Sequence, residues 1–190
     1  SEMCIRDSTY TNPIISDKSV PDPTVIRAND GYFYLYATQT STYWMPIYRS
    51  KDLVNWEYQK TAFTQATKPS LSGGGAFWAP EMTYINGKYV LYFSWAKMNG
   101  ADVSYTAVAV SDSPLGPFPN SKALITNEEF GSNVIDQFYY EENGKKYMFF
   151  GSFKGIYVTE LTDDGLSVKR DVDGKPVLKK QVCGLSLIHI

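Results

Sequence analysis

Hydrophobic and polar residues alternate in a pattern that recurs three times along the chain. The three stretches begin at Asp22 (DPTVIRANDGYFYLYAT), Glu81 (EMTYINGKYVLYFS) and Asp136 (DQFYYEENGKKYMFFGS). Each opens with an acidic residue, continues through four or five strand-forming residues, turns at an Asp-Gly or Asn-Gly pair and enters an aromatic-rich strand. Such pairs are typical of tight hairpins because glycine tolerates positive φ. The pattern therefore predicts three antiparallel hairpins.

A further strand follows each hairpin, in the stretches that begin at Pro46, Tyr105 and Gly155. No amphipathic helix is predicted between them, because glycine, proline and β-branched residues interrupt every candidate segment. The opening acidic residues are 59 and 55 residues apart. Three similar antiparallel sheets of three or four strands are the repeating units of a β-propeller, which is the predicted fold. A β-sandwich of short strands is the alternative.

Composition fits one globular domain and narrows the range of partners. The chain has 190 residues, of which 43% are hydrophobic and 20% charged, a balance typical of soluble domains. A net charge of -2 gives no electrostatic reason to expect nucleic acid or an anionic membrane as partner. The aromatic fraction of 15% is high, and Tyr and Trp suit sites where an apolar surface meets water, as in sugar binding.

The repeat predicts a group of carboxylates at one end of a central channel. Equivalent positions of successive blades face one another there, so Asp22, Glu81 and Asp136 are expected to lie together. Bringing carboxylates together is unfavourable, which indicates proton transfer, a charged intermediate or a metal. No His or Cys cluster supports a transition metal, whereas Ca²⁺ remains open. Glycoside hydrolysis uses paired acids beside aromatic rings, and repeat position alone nominates Glu81 as the general acid.

Three motifs in this order resemble glycoside hydrolase family 43: NPIISDKSVPDPTVIR, FWAPEMTYINGKYVLYFS and NVIDQFYYEENGKKYMFFGSF. The resemblance implies a five-bladed β-propeller that cleaves arabinan, xylan and related side chains, so the expected fold is all-β, an incomplete propeller of about three blades. It also implies that Asp22 is the general base and that Asp136 orients the proton donor and tunes its pKa. Glu81 is then a site-lining carboxylate in contact with substrate rather than the proton donor.

Three further residues are candidates for substrate binding. Phe77 and Trp78 follow the flexible segment SGGGA, and Trp78 is suited either to stacking on a sugar ring or to packing between blades. Asn133 is suited to a hydrogen bond with a sugar hydroxyl or with the backbone of its own turn. No metal ligand is nominated.

The proton donor that the resemblance implies, a glutamate at the start of a fourth blade, has no counterpart in the chain. Glu141, Glu142 and Glu160 follow Asp136, but none of them opens a fourth repeat. We therefore expect the general acid to be missing by truncation and the fragment itself to be inactive. Residues 1–8 (SEMCIRDS) and 185–190 (LSLIHI) resemble translated sequencing adapters, so the propeller segment is taken as residues 9–184.

The sequence thus predicts a fragment of an inverting hydrolase, similar either to arabinan endo-1,5-α-L-arabinosidase or to a xylosidase. Its expected partner is a plant cell-wall polysaccharide or oligosaccharide, with no nucleic acid and no membrane, and the full-length protein is expected to be a monomer. No cofactor is expected to be required, although a structural Ca²⁺ in the full-length protein stays open. The usual polymeric substrates imply an extracellular or periplasmic location. The alternatives are a non-catalytic carbohydrate-binding propeller and an interaction propeller, for which no Trp-Asp blade signature is present.

Overall fold

The computed structural model describes residues 12–16, 19–72, 75–97, 104–131 and 134–184. It contains three four-stranded antiparallel sheets, each built from consecutive strands. Sheet 1 consists of β1 (Thr24–Arg27), β2 (Phe33–Tyr36), β3 (Pro46–Ser50) and β4 (Trp56–Thr61). Sheet 2 consists of β5 (Ala76–Ile85), β6 (Lys88–Ala96), β7 (Tyr105–Ser111) and β8 (Lys122–Thr126). Sheet 3 consists of β9 (Phe138–Glu142), β10 (Lys145–Ser152), β11 (Gly155–Leu161) and β12 (Lys179–Cys183).

The predicted Asn-Gly hairpins are confirmed in sheets 2 and 3. Asn86 (φ 50°) and Gly87 (φ 82°) form the two-residue turn between β5 and β6, and Asn143 (φ 52°) and Gly144 (φ 74°) form the one between β9 and β10. Positive φ at both positions matches the right-handed twist of the paired strands. In sheet 1 the connection is wider, because β1 ends at Arg27 and β2 begins only at Phe33.

The first strand of each sheet is the innermost one. β1 packs against β5, and β5 packs against β9, so the three sheets share an axis along their first strands. This arrangement confirms the predicted all-β fold as a partial β-propeller. Within the described ranges the only helix is the single turn α1 (Asn127–Phe130), where the Thr126 side chain accepts the Glu129 N–H as an N-terminal cap.

Sheet 2 is buried on both faces. Along β6, Leu91 and Phe93 face an aromatic core shared with sheet 1, whereas Val90 and Tyr92 face a second core shared with sheet 3. Successive side chains of a strand point to opposite faces, so one nearly continuous hydrophobic strand supplies both cores. The first core is the more aromatic, and its rings include Phe63, Phe77, Phe93, Trp95 and Phe118.

Sheet 3 leaves aromatic side chains exposed. Phe138 is 56% exposed and Tyr140 41%, both on the inner strand β9, and Phe153 in the β10–β11 turn is 77% exposed. Sheets 1 and 2 bury their facing rings against each other. One face of sheet 3 packs against sheet 2, and the described chain provides no fourth sheet to cover the other face.

We predict that Phe63→Ala strongly destabilises the contact between sheets 1 and 2. The Phe63 ring is 1% exposed and stacks on Phe77 with a centroid separation of 4.5 Å. Its removal leaves a cavity, and the expected loss in the free energy of unfolding is about 3–5 kcal/mol. Urea titration followed by tryptophan fluorescence measures it. Phe153→Ala is the matched control and is expected to change stability by no more than about 0.5 kcal/mol; equal losses in the two variants would contradict the described core.

Candidate active site

Each sheet has a left-handed backbone residue just before its inner strand or, in sheet 2, within the strand at the irregularity between Trp78 and Glu81. Asp22 has φ 49°, Ala79 has φ 42° and Asp136 has φ 56°. Each lies 57 residues after the one before it. Non-glycine residues rarely adopt positive φ, and such residues concentrate at functional sites. These three residues therefore define one structural position, repeated at the same end of the three inner strands.

The strand register corrects the predicted equivalence of residues between sheets 1 and 2. Thr24 pairs with Tyr36 and Glu81 with Tyr92, so Glu81 is the counterpart of Thr24 rather than of Asp22. The counterpart of Asp22 in sheet 2 is Ala79, two residues earlier. The predicted alignment matched Glu81 to Asp22 because both residues are acidic. In sheet 2, however, the carboxylate lies two residues further along the strand, on the same face.

Asp22 lies at the head of β1, where its carboxylate is exposed but held from one side. The Thr38 hydroxyl donates to Asp22 Oδ2 at 2.7 Å. Thr38 is half-buried and lies just beyond the end of β2, the neighbour of β1. The carboxylate thus has a fixed protein donor on one oxygen, while its other face remains open to solvent.

Asp136 lies at the head of β9, close enough to Asp22 for the charge of Asp22 to affect its pKa. Partial loss of water around its carboxyl group raises the pKa of Asp136, and the negative charge of Asp22 raises it further. The Asp136 backbone N–H donates to Ser94 Oγ at 3.0 Å. The structure therefore brings the two predicted catalytic aspartates to the same end of the inner strands.

Glu81 joins all three sheets. Its Oε2 accepts a hydrogen bond from the Thr24 hydroxyl at 3.2 Å, and its Oε1 accepts one from the Tyr139 N–H at 3.4 Å. Burial raises the pKa of Glu81, although both hydrogen bonds act in the opposite direction. Each carboxylate oxygen faces a protein donor in a neighbouring inner strand, which is the geometry of a structural carboxylate that lines the site.

The predicted aromatic residues differ in their placement. Phe77 is 1% exposed and packs in the core between sheets 1 and 2, so the structure gives it a packing role in place of a substrate contact. Trp78, the next residue on β5, is half-buried and immediately precedes Ala79. Strand alternation explains the difference, because adjacent side chains point to opposite faces. Asn133 lies outside the described residues, as do residues 1–8 and 185–190.

Sequence reasoning missed three residues that connect the aspartates: Thr38, Ser94 and Gln137. Thr38 Oγ1, besides donating to Asp22, accepts the Ala79 N–H at 2.7 Å. Gln137 is 5% exposed; its Nε2 donates to the Ala79 carbonyl and its Oε1 accepts from the Ser94 hydroxyl at 2.9 Å. No local motif signals these contacts, because they join residues about 40 to 60 positions apart.

The other glutamates that follow Asp136 are engaged elsewhere or exposed. Glu160 is 6% exposed and its Oε1 lies 2.6 Å from Lys169 Nζ. Glu141 accepts from the Tyr139 hydroxyl at 2.7 Å and pairs with Lys146, and Glu142 is exposed at the end of β9. None of them contacts Asp22 or Asp136 in the described part of the chain.

The described ranges contain neither a metal-binding cluster nor a helix that could span a membrane. No group of three or more His, Cys, Asp or Glu side chains among the described residues is arranged to hold a metal ion. No helix formed by these residues is long and apolar enough to cross a membrane.

A partial propeller with two aspartates at the heads of its inner strands has the architecture of a glycoside-hydrolase domain. The model of glycosyl hydrolases family 43 matches residues 10–184, nearly the whole chain. The chain belongs to this family. The resemblance inferred from the three motifs is thereby confirmed.

Two relatives show what fraction of a family member's length the chain covers. It is 30% identical over 156 residues to extracellular endo-α-(1→5)-L-arabinanase 1 of Bacillus subtilis (strain 168), an alignment that covers 77% of this chain and 47% of that protein. It is also 30% identical over 151 residues to the xylan 1,3-β-xylosidase of a Vibrio species, covering 74% and 26%. The chain therefore spans about half of the first relative and about a quarter of the second.

Solved structures give the same result for the fold. A thermostable family-43 glycoside hydrolase superposes with a TM-score of 0.64 at 31% identity, over 91% of this chain and 56% of that one. The endo-arabinase from Bacteroides thetaiotaomicron VPI-5482 superposes with a TM-score of 0.67 at 25% identity, over 93% and 66%.

We predict that Glu81→Gln becomes more stable relative to the parent protein as the pH rises from 4 to 7. The raised pKa of Glu81 means that the folded chain binds its proton more tightly than the unfolded chain does. The stability from this group is thus full below the ordinary pKa of 4.5 and is lost as the pH rises through the raised value. Glutamine stays neutral and still offers an oxygen to the Tyr139 N–H. Urea unfolding at pH 4, 5.5 and 7 measures the difference.

Asp52→Asn provides a control with the opposite sign. Backbone and side-chain hydrogen bonds from Asn55 hold the pKa of Asp52 below its ordinary value, so its contribution is present at neutral pH and lost on acidification. The deficit of Asp52→Asn is therefore expected to be larger at pH 7 than at pH 3. Parallel stability curves for Glu81→Gln and the parent protein would contradict a desolvated carboxylate at position 81.

Proposed function

We propose that this chain is part of an inverting glycoside hydrolase that acts on arabinan or on another plant polysaccharide containing arabinose or xylose. The observation that carries the proposal is the pair of aspartates, Asp22 and Asp136, on inner strands of a family 43 propeller, close enough for one charge to act on the other. The names of the relatives, an endo-arabinanase and a xylosidase, support the substrate class.

In the proposed reaction Asp22 is the general base. Its carboxylate removes a proton from a water molecule while the water oxygen attacks the anomeric carbon, and the bond from that carbon to the leaving oxygen breaks. The leaving oxygen takes a proton from a carboxylic acid on the opposite side of the sugar. Inverting enzymes hold the two carboxyl groups about 6.5–9.5 Å apart so that water fits between base and sugar. The open face of Asp22 gives the water access.

Asp136 is assigned the second role that the family resemblance implies, orienting the proton donor and tuning its pKa. A carboxylate beside a carboxylic acid raises the pKa of that acid, which keeps it protonated near neutral pH. Asp136 itself holds its proton more tightly than a free aspartate does. Its position next to Asp22 supports a role in charge tuning in preference to direct attack.

The proton donor is proposed to lie outside the described residues. Glu81 has both oxygens occupied by protein donors, and Glu160 and Glu141 are bound to lysines. The chain also spans only 47% of the arabinanase relative. We therefore propose that residues 9–184 form the first part of the catalytic domain and that the 190-residue chain alone does not hydrolyse glycans.

The remaining proposals concern partners and location. Trp78 and Glu81, half-buried at the inner strands, are proposed to line the site for a polysaccharide or oligosaccharide. The reaction needs no cofactor, since carboxylates alone transfer both protons. Relatives named as extracellular enzymes support secretion or a periplasmic location, and the full-length protein is proposed to act as a monomer.

We predict that Asp22→Asn abolishes hydrolysis by the full-length protein, encoded by the complete open reading frame that contains residues 9–184. The amide cannot accept the proton of water, so kcat is expected to fall by about 10²–10⁴-fold with folding preserved. Release of reducing sugar from linear arabinan and arabinoxylan measures activity, and proton NMR of the fresh product reports inversion at the anomeric carbon.

Asp173→Asn, in the exposed turn before Gly174, is the matched control and is expected to match the parent protein. Full activity in Asp22→Asn would refute the general base. Binding of these glycans without sugar release by the parent protein would favour the carbohydrate-binding alternative. A product with retained configuration would refute inversion while leaving the family unchanged.

A further inference from the structure

Two segments of hydrogen bonds, joined by the backbone of Ala79, connect the two aspartates across all three sheets. Starting from sheet 3, the Asp136 N–H donates to Ser94 Oγ at 3.0 Å, and the Ser94 hydroxyl donates to Gln137 Oε1 at 2.9 Å. The Gln137 side-chain amide then donates to the carbonyl of Ala79. This first half links the backbone of Asp136 to the backbone of Ala79.

The second half links Ala79 to the carboxylate of Asp22. The Ala79 N–H donates to Thr38 Oγ1 at 2.7 Å, and the Thr38 hydroxyl donates to Asp22 Oδ2, also at 2.7 Å. A backbone N–H can only donate, so Thr38 must accept there and its single hydroxyl proton is left for Asp22. The same logic fixes Ser94, whose proton is left for Gln137. In the order from Asp136 to Asp22 each group donates to the next one, although the Ser94 hydroxyl donates from sheet 2 back to Gln137 beside sheet 3.

The linking hydroxyls occupy equivalent places in sheets 1 and 2. The Thr38 N–H donates to the carbonyl of Pro21, the residue before Asp22, and Ser94 pairs with Trp78, the residue before Ala79. In both sheets the hydroxyl oxygen accepts the N–H of the left-handed residue of the next sheet, which is Ala79 within β5 or Asp136 just before β9. Its orientation is therefore set by the propeller itself.

Sheet 3 replaces the hydroxyl by a glycine. The Gly151 N–H donates to Ile135, the residue before Asp136, at 2.8 Å, so Gly151 holds the place of Thr38 and Ser94. It has φ 131°, and a Cβ there would clash with the carbonyl oxygen of Gly155. The hydroxyl is thus present in sheets 1 and 2, each of which is followed by another sheet within the described chain, and absent from sheet 3.

We propose that Thr38 and Gln137 are positioning residues that hold the Asp22 carboxylate in its reactive orientation. The inference rests on the proposed role of Asp22 as general base. An exposed aspartate that lacks a fixed donor samples several rotamers, and misplacement of a reacting group by about 1 Å costs up to about 10²-fold in rate. Thr38 fixes one carboxylate oxygen, and Gln137, buried between sheets 2 and 3, fixes the Ala79 backbone that orients Thr38.

The linkage also matters for charge. Consecutive hydrogen bonds that run in one direction polarise one another, and the two from the Ala79 N–H through the Thr38 hydroxyl end on the anionic carboxylate of Asp22. Thr38 satisfies only Oδ2, so Asp22 Oδ1 is left to accept the proton of the attacking water. A positioning role of this kind affects the rate of the chemical step more than the binding of the sugar.

The test compares Thr38→Val, Thr38→Ser and Gln137→Leu in the full-length protein, with steady-state kinetics on linear arabinan or the preferred substrate. Thr38→Val keeps the branched shape and removes the hydroxyl. We expect kcat to fall by about 10- to 100-fold with KM within about twofold. Thr38→Ser retains the hydroxyl and is expected to stay within about threefold of the parent kcat. Gln137→Leu is expected to lower kcat in the same way, without a further full loss when combined with Thr38→Val.

Thr61→Val is the matched structural control. Thr61 is half-buried on the outer strand β4, and its hydroxyl donates to the carbonyl of Phe63 at 2.8 Å. Thr61→Val is expected to lose about as much thermal stability as Thr38→Val but to keep the parent kcat. This comparison separates positioning from loss of a buried hydrogen bond.

Each outcome bears on one of the two hypotheses. If Asp22→Asn is inactive but folded Thr38→Val and Gln137→Leu keep the parent kcat, the positioning role is refuted and the general base stands. If Asp22→Asn is itself active, the proposed function fails first. If Thr38→Val does not fold, a Thr38→Ser variant near the parent kcat together with a lowered kcat in Gln137→Leu supports the inference, and an unchanged Gln137→Leu refutes it.

Discussion

Burial of sheet 2 on both faces is the constraint on which the rest of the structure depends. β6 places Leu91 and Phe93 in one core and Val90 and Tyr92 in the other, so sheets 1 and 3 are each fixed relative to the same strand. The strand must be hydrophobic throughout to do this, as central strands generally are. The heads of β1, β5 and β9 then meet at one end of the shared axis. The relative position of Asp22 and Asp136 is thus a consequence of packing remote from both.

The left-handed residue at or just before each inner strand converts this packing into a site. At Asp22, Ala79 and Asp136 the backbone turns so that the N–H of Ala79 and that of Asp136 reach a hydroxyl of the preceding sheet. Positive φ at a non-glycine residue costs about 1–3 kcal/mol, and one or two hydrogen bonds offset part of that cost. At Ala79 and Asp136 hydrogen bonds to the preceding sheet therefore offset part of the strain, which couples formation of the site to assembly of the blades.

Much of the fold could be predicted from the sequence because its signals are local. Asn-Gly pairs and aromatic alternation identify hairpins within about 15 residues, and three repeats identify the propeller. The site was only partly accessible. The acidic repeat and the family motifs nominated Asp22 and Asp136 but not Ala79, because a left-handed alanine has no compositional signal. The Asp22-Pro23 and Ala79-Pro80 dipeptides were the one available sign of the true register. Phe77 was predicted to bind substrate but lies in the core, because the glycine-rich segment before it does not indicate which face of the strand its side chain occupies.

The carboxylates of the site and those of the outer turns act on stability in opposite directions. The raised pKa values of Glu81 and Asp136 mean that both groups are less favourably ionised in the folded chain, so their contribution declines as the pH rises. Asp52 and Asp164, which accept hydrogen bonds in outer turns, have lowered pKa values and contribute most above their ordinary range. A desolvated carboxylate is unfavourable for folding at neutral pH, because it ionises less readily in the folded chain than in the unfolded chain. The outer turns therefore offset, at neutral pH, part of the instability that the inner strands accept in forming the site.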